Sequence, residues 1–151
     1  MGKIFNKIFN VLLILIILAL ATGLILKALG IINIYKVETG SMEDKIHSGD
    51  YVLIHSTDDY SVGDVITYRV DNYFVTHRII KIEDGKITTK GDANNISDDE
   101  VSTDQIEGKV IYNGQLLNFI IDYKFVIAAF VIGLYLLNAY FDDSKKKIEK
   151  Q

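Results

Sequence analysis

Two long apolar runs lie near the ends of the chain and enclose a more polar middle segment. The first run, residues 8–26, contains 19 residues with one amide and no charge. As a helix it would rise roughly 28 Å, which is close to the thickness of a bilayer core. The second run, residues 125–141, contains 17 residues without a charge. The pattern predicts two transmembrane helices, one at residues 8–28 and one at residues 121–141.

Each run has an alternative interpretation. Ala19 and Ala21 fit the small-x-small cleavage site of a secretory signal peptide, but the apolar run continues past them to Leu26. That continuation favours an uncleaved anchor. The second run is short enough to be a buried core helix instead of a span.

The middle segment has the short alternating pattern of strands. Its β-prone stretches are residues 51–55, 64–70, 73–82, 86–90 and 106–112. Asp71-Asn72 and Asp84-Gly85 separate consecutive stretches and are typical of tight hairpin turns. No stretch of this segment reads as an amphipathic helix. The sequence therefore predicts a mainly β fold, with a small antiparallel domain over residues 35–117 between the two transmembrane helices.

The charges give this arrangement an orientation. Residues 35–124 carry 9 basic and 17 acidic residues, a net charge of −8, while the whole chain has a net charge of −4. So acidic a domain is a poor candidate for binding nucleic acid. Lys3 and Lys7 precede the first run, and four of the last seven residues are lysine. The positive-inside rule then predicts cytoplasmic ends at residues 1–7 and 142–151, with the β domain outside.

Composition limits the chemistry further. The chain has no cysteine, which excludes disulfides, a thiolate nucleophile and zinc held by cysteine. Ser41 stands between Gly40 and Met42, so a flexible apolar side chain lies beside the hydroxyl. Most serines in Gly-Ser pairs are turn residues, and Ser41 needs a base if it is to act as a nucleophile.

His77 is the best candidate for that base. Alternation along the predicted strand places it on one face with Val75 and Ile79, where a partly buried imidazole favours the neutral form that a general base needs. A packed core histidine is the alternative, and His47 and His55 are expected to be solvated. Lys81 is the rival base, but it lies roughly 13 Å from His77 along a strand, so the two cannot serve the same hydroxyl.

A polar stretch after the fourth predicted strand supplies acids and suggests a calcium loop. Asp92 and Asn94 fit the first and third positions of such a loop. However, Ile96, Ser97 and Thr103 stand where an oxygen ligand, a glycine and a bidentate glutamate belong. We therefore expect no metal site here, and a solvated acidic turn is the alternative to a catalytic role.

Several short motifs, in this order, carry a resemblance to a known family. They are TGSM at 39–42 with SGD at 48–50, GDVI at 63–66, THRI at 76–79, TKGDAN at 89–94 and IEGKV at 106–110. The chain resembles the type I signal peptidases (peptidase family S26). The similarity is to the archaeal and endoplasmic-reticulum branch, which some Gram-positive bacteria also carry. The resemblance covers nearly the whole predicted β domain.

The resemblance implies a role for each site residue. Ser41 would be the nucleophile and His77 the base, at the position where the other branch of the family has lysine. Asp98 would be the acid partner of His77, with Asp92 in support. The Ser41 N–H and the Thr39 hydroxyl would form the oxyanion hole. Neither a metal nor another cofactor is implied.

One departure from the family pattern concerns the nucleophile loop. The family usually has proline two residues after the methionine, where this chain has Asp44, so the rigidity of the loop is affected more than its chemistry.

The resemblance also implies a function. It is that of a membrane-bound serine endopeptidase that removes N-terminal signal peptides from secreted preproteins after small-x-small sites. Its partners would be those preproteins and the lipid bilayer, and it would be a multi-pass protein of the cell membrane. The oligomeric state is left open. Two other interpretations are a membrane-tethered, non-catalytic binding or assembly module, and a Ser–Lys self-cleaving peptidase that uses Lys81.

Overall fold

The computed structural model describes residues 2–43 and 45–148. Its helices are α1 (Gly2–Ala28), α2 (Gln115–Asp122) and α3 (Lys124–Ile148), with one 3₁₀ turn at Thr103–Gln105. Its strands are β1 (Ile32–Lys36), β2 (Tyr51–His55), β3 (Val65–Val70), β4 (Tyr73–Glu83), β5 (Lys86–Lys90), β6 (Glu100–Val101) and β7 (Ile106–Asn113). Two compact units result, Gly23–Asn118 and a helical unit of Met1–Thr22 with Phe119–Gln151.

Among the described residues, one helix is long and apolar enough to cross a membrane. It is the part of α1 from Asn6 to Ala28, whose apolar side chains are exposed. Helices α2 and α3 meet the same criterion only as a pair, and they are bent by 71° at the break between them. The charged residues Asp122 and Lys124 flank that break and interrupt the apolar run. The second transmembrane helix, expected at residues 121–141, thus stays a prediction, and residues 149–151 of the expected basic tail lie outside the described residues.

The seven strands form one sheet in the order β1-β2-β7-β3-β4-β5-β6, and every neighbouring pair is antiparallel. The mainly antiparallel β fold is therefore confirmed. The five strands expected from the sequence are present, with ends that differ by at most one residue. Asp71 and Asp84 have φ values of 53° and 50°, as the two predicted tight turns require.

Two strands, one helix and the 3₁₀ turn at Thr103–Gln105 were not predicted from the sequence. β1 follows the apolar run so closely that its alternation merges with that of the helix. β6 has only two residues. Helix α2 was also missed, because the strand pattern of β7 continues almost to its first residue, Gln115.

Two clusters of buried side chains make the core of the sheet unit. The serine-side cluster packs beneath the loop that carries Ser41 and consists of Val37, Met42, Ile46, Val52 and Ile54. The base-side cluster packs beneath the middle of β3 and β4 and consists of Ile66, Tyr68, Ile79, Ile87 and Val101. The rings of Tyr35 in β1 and Phe74 in β4 lie 4.6 Å apart, although three strands separate β1 from β4 in the sheet. The sheet thus curves until these two strands face each other.

Candidate active site

The loop that carries Ser41 is fastened to the core by its own apolar side chains. Met42 is fully buried in the serine-side cluster, and Ile46 is buried four residues later. The Ile46 N–H donates to the Met42 carbonyl, which closes one turn of backbone. The side chain of Met42 therefore points into the core, and Ser41 is left half-buried at the surface. Asp44 lies outside the described residues.

A second turn holds the nucleophile loop from the other side. The Ala93 N–H donates to the Ser41 carbonyl oxygen at 2.9 Å. A Cβ atom at Gly91 would lie 2.5 Å from that same oxygen, which is closer than real Cβ contacts allow. Glycine is therefore required at position 91, because only a residue without a side chain lets the two backbones approach.

His77 extends from β4 to the serine. Its Nε2 atom lies 2.8 Å from the Ser41 Oγ atom, and its side chain is 8% exposed. On the far side of the ring, Nδ1 lies 2.6 Å from Asp98 Oδ2. Because a carboxylate can only accept, Nδ1 carries the proton and Nε2 is free to accept the proton of the serine hydroxyl. This is the arrangement of a serine, a base and an orienting acid.

Asp98 is held in place by the strand that precedes it. Its backbone N–H donates to the Thr89 carbonyl at 2.9 Å, and its carboxylate accepts from the Thr89 hydroxyl at 2.7 Å. The Tyr68 hydroxyl reaches the same carboxylate oxygen from β3, at 3.1 Å.

Asp92 does not touch the imidazole. Its two carboxylate oxygens accept from Arg78 Nε at 2.8 Å and from Arg78 Nη2 at 2.6 Å. The hydrogen bonds from Arg78 hold the pKa of Asp92 below its ordinary value. Arg78 also donates to the Gly63 carbonyl at 2.7 Å. The structure thus brings Asp98 to His77, and places Asp92 in an ion pair that fixes the turn against Ser41.

Thr39 lies beside the nucleophile. Its hydroxyl oxygen is 3.2 Å from the Ser41 Oγ atom. This distance places the Thr39 hydroxyl beside the nucleophile, and its part in an oxyanion hole stays a prediction.

The other candidate bases lie elsewhere. Lys81 follows a register shift in the pairing of β4 with β5, its side chain is 60% exposed, and its ammonium group pairs with Glu83. The hydrogen bond to Glu83 raises the pKa of Lys81, which favours the charged form over the free amine. The His47 side chain is 63% exposed beside Asp50, and His55 Nδ1 lies 3.1 Å from the Ile31 carbonyl.

Four residues of the site were not predicted from the sequence: Tyr68, Thr89, Arg78 and Ala93. Arg78, Thr89 and Ala93 lie inside the quoted motifs, but their partners depend on how the strands and loops are paired. Tyr68 lies outside every motif. Within the described part of the chain, no group of three or more His, Asp or Glu side chains is placed to hold a metal ion.

A cleft of about 330 Å³ opens beside Ser41 and His77. Two extended segments form its walls, residues 35–39 and residues 73–77. β5 pairs with β4 only along the second half of that strand, from Arg78 to Glu83, so residues 73–77 have β3 on one side and the cleft on the other. The cleft is therefore bounded by free strand edges that can hydrogen-bond to an extended peptide.

The sequence profile of the family described as Peptidase S24-like matches residues 25–111. The matched segment contains Ser41, His77 and Asp98, and covers more than half of the chain. No curated protein matches the chain significantly.

Proposed function

The chain belongs to the Peptidase S24-like family, of the superfamily that includes the signal peptidases, and on that premise we propose that it is a membrane-bound signal peptidase. The reaction is hydrolysis of one peptide bond in an exported precursor. The observation that carries the proposal is the continuous line of contacts from Ser41 through His77 to Asp98, with distances of 2.8 Å and 2.6 Å.

Each atom in that line has a step in the reaction. The Ser41 Oγ atom attacks the carbonyl carbon of the scissile bond while His77 Nε2 takes the hydroxyl proton. The oxyanion accepts from the Ser41 N–H and the Thr39 hydroxyl. His77 then gives its proton to the departing amine. The C–N bond breaks, and an acyl-enzyme remains on Ser41. A water molecule, deprotonated by the same nitrogen, attacks the carbonyl carbon of this ester. The bond between that carbon and Ser41 Oγ breaks, and His77 Nε2 returns the proton to Oγ. Asp98 holds the Nδ1 proton throughout and stabilises the imidazolium.

The cleft supports an extended peptide as the substrate. A peptide between residues 35–39 and 73–77 would add a strand to β4 through main-chain hydrogen bonds, which are independent of sequence. Val37 and Val75 line the cleft near the serine. Branched walls leave little room beside the scissile bond, in agreement with a preference for small side chains there.

The anchor supports a membrane substrate. α1 is long and apolar enough to cross a bilayer, and it ends four residues before β1 begins. An enzyme tethered this closely meets peptide bonds near the membrane surface, where a signal peptide ends. Under this proposal residues 8–28 and 121–141 span the cell membrane, residues 35–117 lie outside, and both termini are cytoplasmic.

The two other interpretations account for less. A Ser–Lys peptidase needs a neutral amine at the serine, but the Lys81 amine is paired with Glu83 and exposed, and the serine hydroxyl contacts His77 instead. A non-catalytic module has no use for a serine, an imidazole and a carboxylate in one line of hydrogen bonds.

The test is cleavage of a precursor by the full chain in detergent. A signal-bearing precursor is incubated with wild type, with Ser41→Ala, and with the control Ser56→Ala, which changes an exposed serine after β2. We expect wild type and Ser56→Ala to release the mature protein and Ser41→Ala to release none. Release by Ser41→Ala would contradict the proposal, as would an inactive wild type.

The topology has its own test, because a chain without cysteine accepts single reporters. Ser56→Cys and Ser144→Cys are treated in intact cells with a maleimide that does not cross membranes. We expect labelling at position 56, and labelling at position 144 only after permeabilisation. Labelling of Ser144→Cys in intact cells would contradict the proposed second transmembrane helix.

A further inference from the structure

Two buried hydroxyls converge on the acid of the site. Thr89 is fully buried, and Tyr68 is 2% exposed. Their oxygens lie 2.7 Å and 3.1 Å from Asp98 Oδ2, the same atom that accepts from His77 Nδ1. The two hydroxyl oxygens are 3.0 Å from each other.

The number of protons decides what this cluster can do. Each hydroxyl carries one proton, and a carboxylate carries none. Thr89 donates its proton to Asp98 Oδ2, which is 2.7 Å away, in preference to the Tyr68 oxygen at 3.0 Å. Tyr68 donates its proton to the same carboxylate oxygen. With the imidazole, three donors then meet one carboxylate oxygen, Asp98 Oδ2.

Tyr68 keeps its proton throughout the physiological range. Burial raises the pKa of Tyr68 to about 12, and the negative charge of Asp98 acts in the same direction. The hydroxyl is therefore protonated, and able to donate, throughout this range.

We propose that Tyr68 and Thr89 are positioning residues that set the strength of the His77 base by sharing the negative charge of Asp98. Each hydroxyl withdraws part of that charge from the bond to the imidazole. Without one of them, the remaining charge stabilises the imidazolium more strongly, and the ring holds its proton to a higher pH. Neither residue touches the scissile bond, so both act through Asp98. The inference rests on the proposed function only where cleavage is the readout.

Other charged groups face the imidazole and remain constant in the comparison. Asp92 lies on the turn after β5 with its charge paired to Arg78. Lys36 and Glu38 line the cleft with His77 on the serine side, and Asp99 and Glu100 line the cavity on the acid side. None of them changes in the variants below, so differences between variants report the two hydroxyls.

The variants are Tyr68→Phe and Thr89→Val, which remove a hydroxyl and keep the shape, and Thr89→Ser, which keeps the hydroxyl. The chain supplies matched controls. Thr67→Val removes an equally buried threonine hydroxyl whose partner is Thr76, at 2.9 Å. Tyr60→Phe removes the hydroxyl of another tyrosine that packs against the base-side cluster.

Two measurements are made on the full chain in detergent. The first is kcat/KM for a signal-bearing precursor against pH. The second is the titration of the His77 imidazole by NMR, assigned with His77→Gln, which needs no substrate. We expect the acid limb and the imidazole midpoint to move upward by roughly half a pH unit or more in Tyr68→Phe and in Thr89→Val. Thr89→Ser and both controls should keep the wild-type midpoint.

The outcomes separate the two claims. If wild type cleaves no precursor but the midpoint moves as expected, the proposed function fails and the positioning role stands. If Tyr68→Phe and Thr89→Val keep the wild-type midpoint, the positioning role is overturned, whatever their activity. Either variant alone gives this answer if the other does not fold.

Discussion

The two halves of the site are positioned in different ways. Ser41 lies on an irregular loop that is located by the burial of Met42 and by one backbone bond from Ala93. His77 lies within β4, where six consecutive residue pairs with β3 fix its position. A loop fastened by a few contacts is displaced when one contact is lost, whereas a residue inside a paired strand is not.

One ion pair joins the two halves. Arg78 follows His77 in β4, and its partner Asp92 begins the turn whose Ala93 donates to Ser41. The base and the serine are thus related through a guanidinium and a short turn. We therefore expect substitutions on the base side to lower the rate of cleavage with little change in the free energy of unfolding. Substitutions on the serine side should lower the free energy of unfolding.

The largest expected effect is the loss of the base. His77→Ala should lower kcat/KM for a signal-bearing precursor by about 10³-fold or more, because His77 is the base that takes the serine proton. The imidazole belongs to neither apolar cluster, so the free energy of unfolding, measured with urea, should change little. Lys81→Ala, which removes an exposed lysine from the same strand, is the control and should cleave normally. An active His77→Ala beside an inactive Lys81→Ala would assign the chain to the Ser–Lys peptidases.

The next effect separates the two acids. Asp98→Asn should lower kcat/KM by roughly 10³- to 10⁴-fold, because an amide cannot stabilise the imidazolium and favours the wrong tautomer. Asp92→Asn should cost about tenfold, through a small displacement of the turn against Ser41. Both rates are measured without denaturant, on samples whose folding has been checked by circular dichroism. The comparison would be reversed if Asp92→Asn were inactive and Asp98→Asn cleaved like wild type.

The sequence was sufficient for five of the seven strands and for the identity of the candidate acids. Alternation over residues 73–82 predicted β4 and placed His77 on its inward face, and local turn chemistry predicted both hairpins. These properties depend on neighbours in sequence, which is why they can be read without a structure.

The pairing across the sheet was beyond the sequence. Tyr68 and Thr89 come from strands on either side of β4, and their meeting at Asp98 depends on registers that alternation does not determine. The direction of Met42 was also hidden, because a methionine beside a membrane anchor fits the bilayer surface as well as a core. Asp98 was predicted as the partner of His77 and Asp92 as its support, but the ion pair of Asp92 with Arg78 depends on the strand pairing and was not predicted.

A smaller effect should follow from the serine side, and it concerns stability. Met42→Ala removes a fully buried side chain and should lower the free energy of unfolding by about 2–4 kcal/mol. Met42→Leu keeps nearly the same volume and should cost less than about 1.5 kcal/mol. Urea unfolding of the full chain in non-ionic detergent measures both. Equal stability of Met42→Ala and wild type would show that the loop is not fastened by this side chain.

The smallest effect is the pH dependence of the ion pair that joins the halves. Arg78 lowers the pKa of Asp92 from its ordinary value of 3.8, so the folded state gains stability from the ionised carboxylate at any pH above that value. This contribution is lost as the pH falls through the lower pKa of the folded state. Arg78→Gln should therefore be less stable than wild type by about 1–2 kcal/mol at neutral pH, and the difference should shrink below about pH 4.

Asp50 and Asp64 also have lowered pKa values, but they titrate in both proteins and cancel in the difference. Arg69→Gln, on neighbouring β3, is the control, and urea unfolding is followed at a series of pH values. A difference that persists unchanged at pH 3 would mean that Arg78 stabilises the turn through its bond to the Gly63 carbonyl and not through the charge of Asp92.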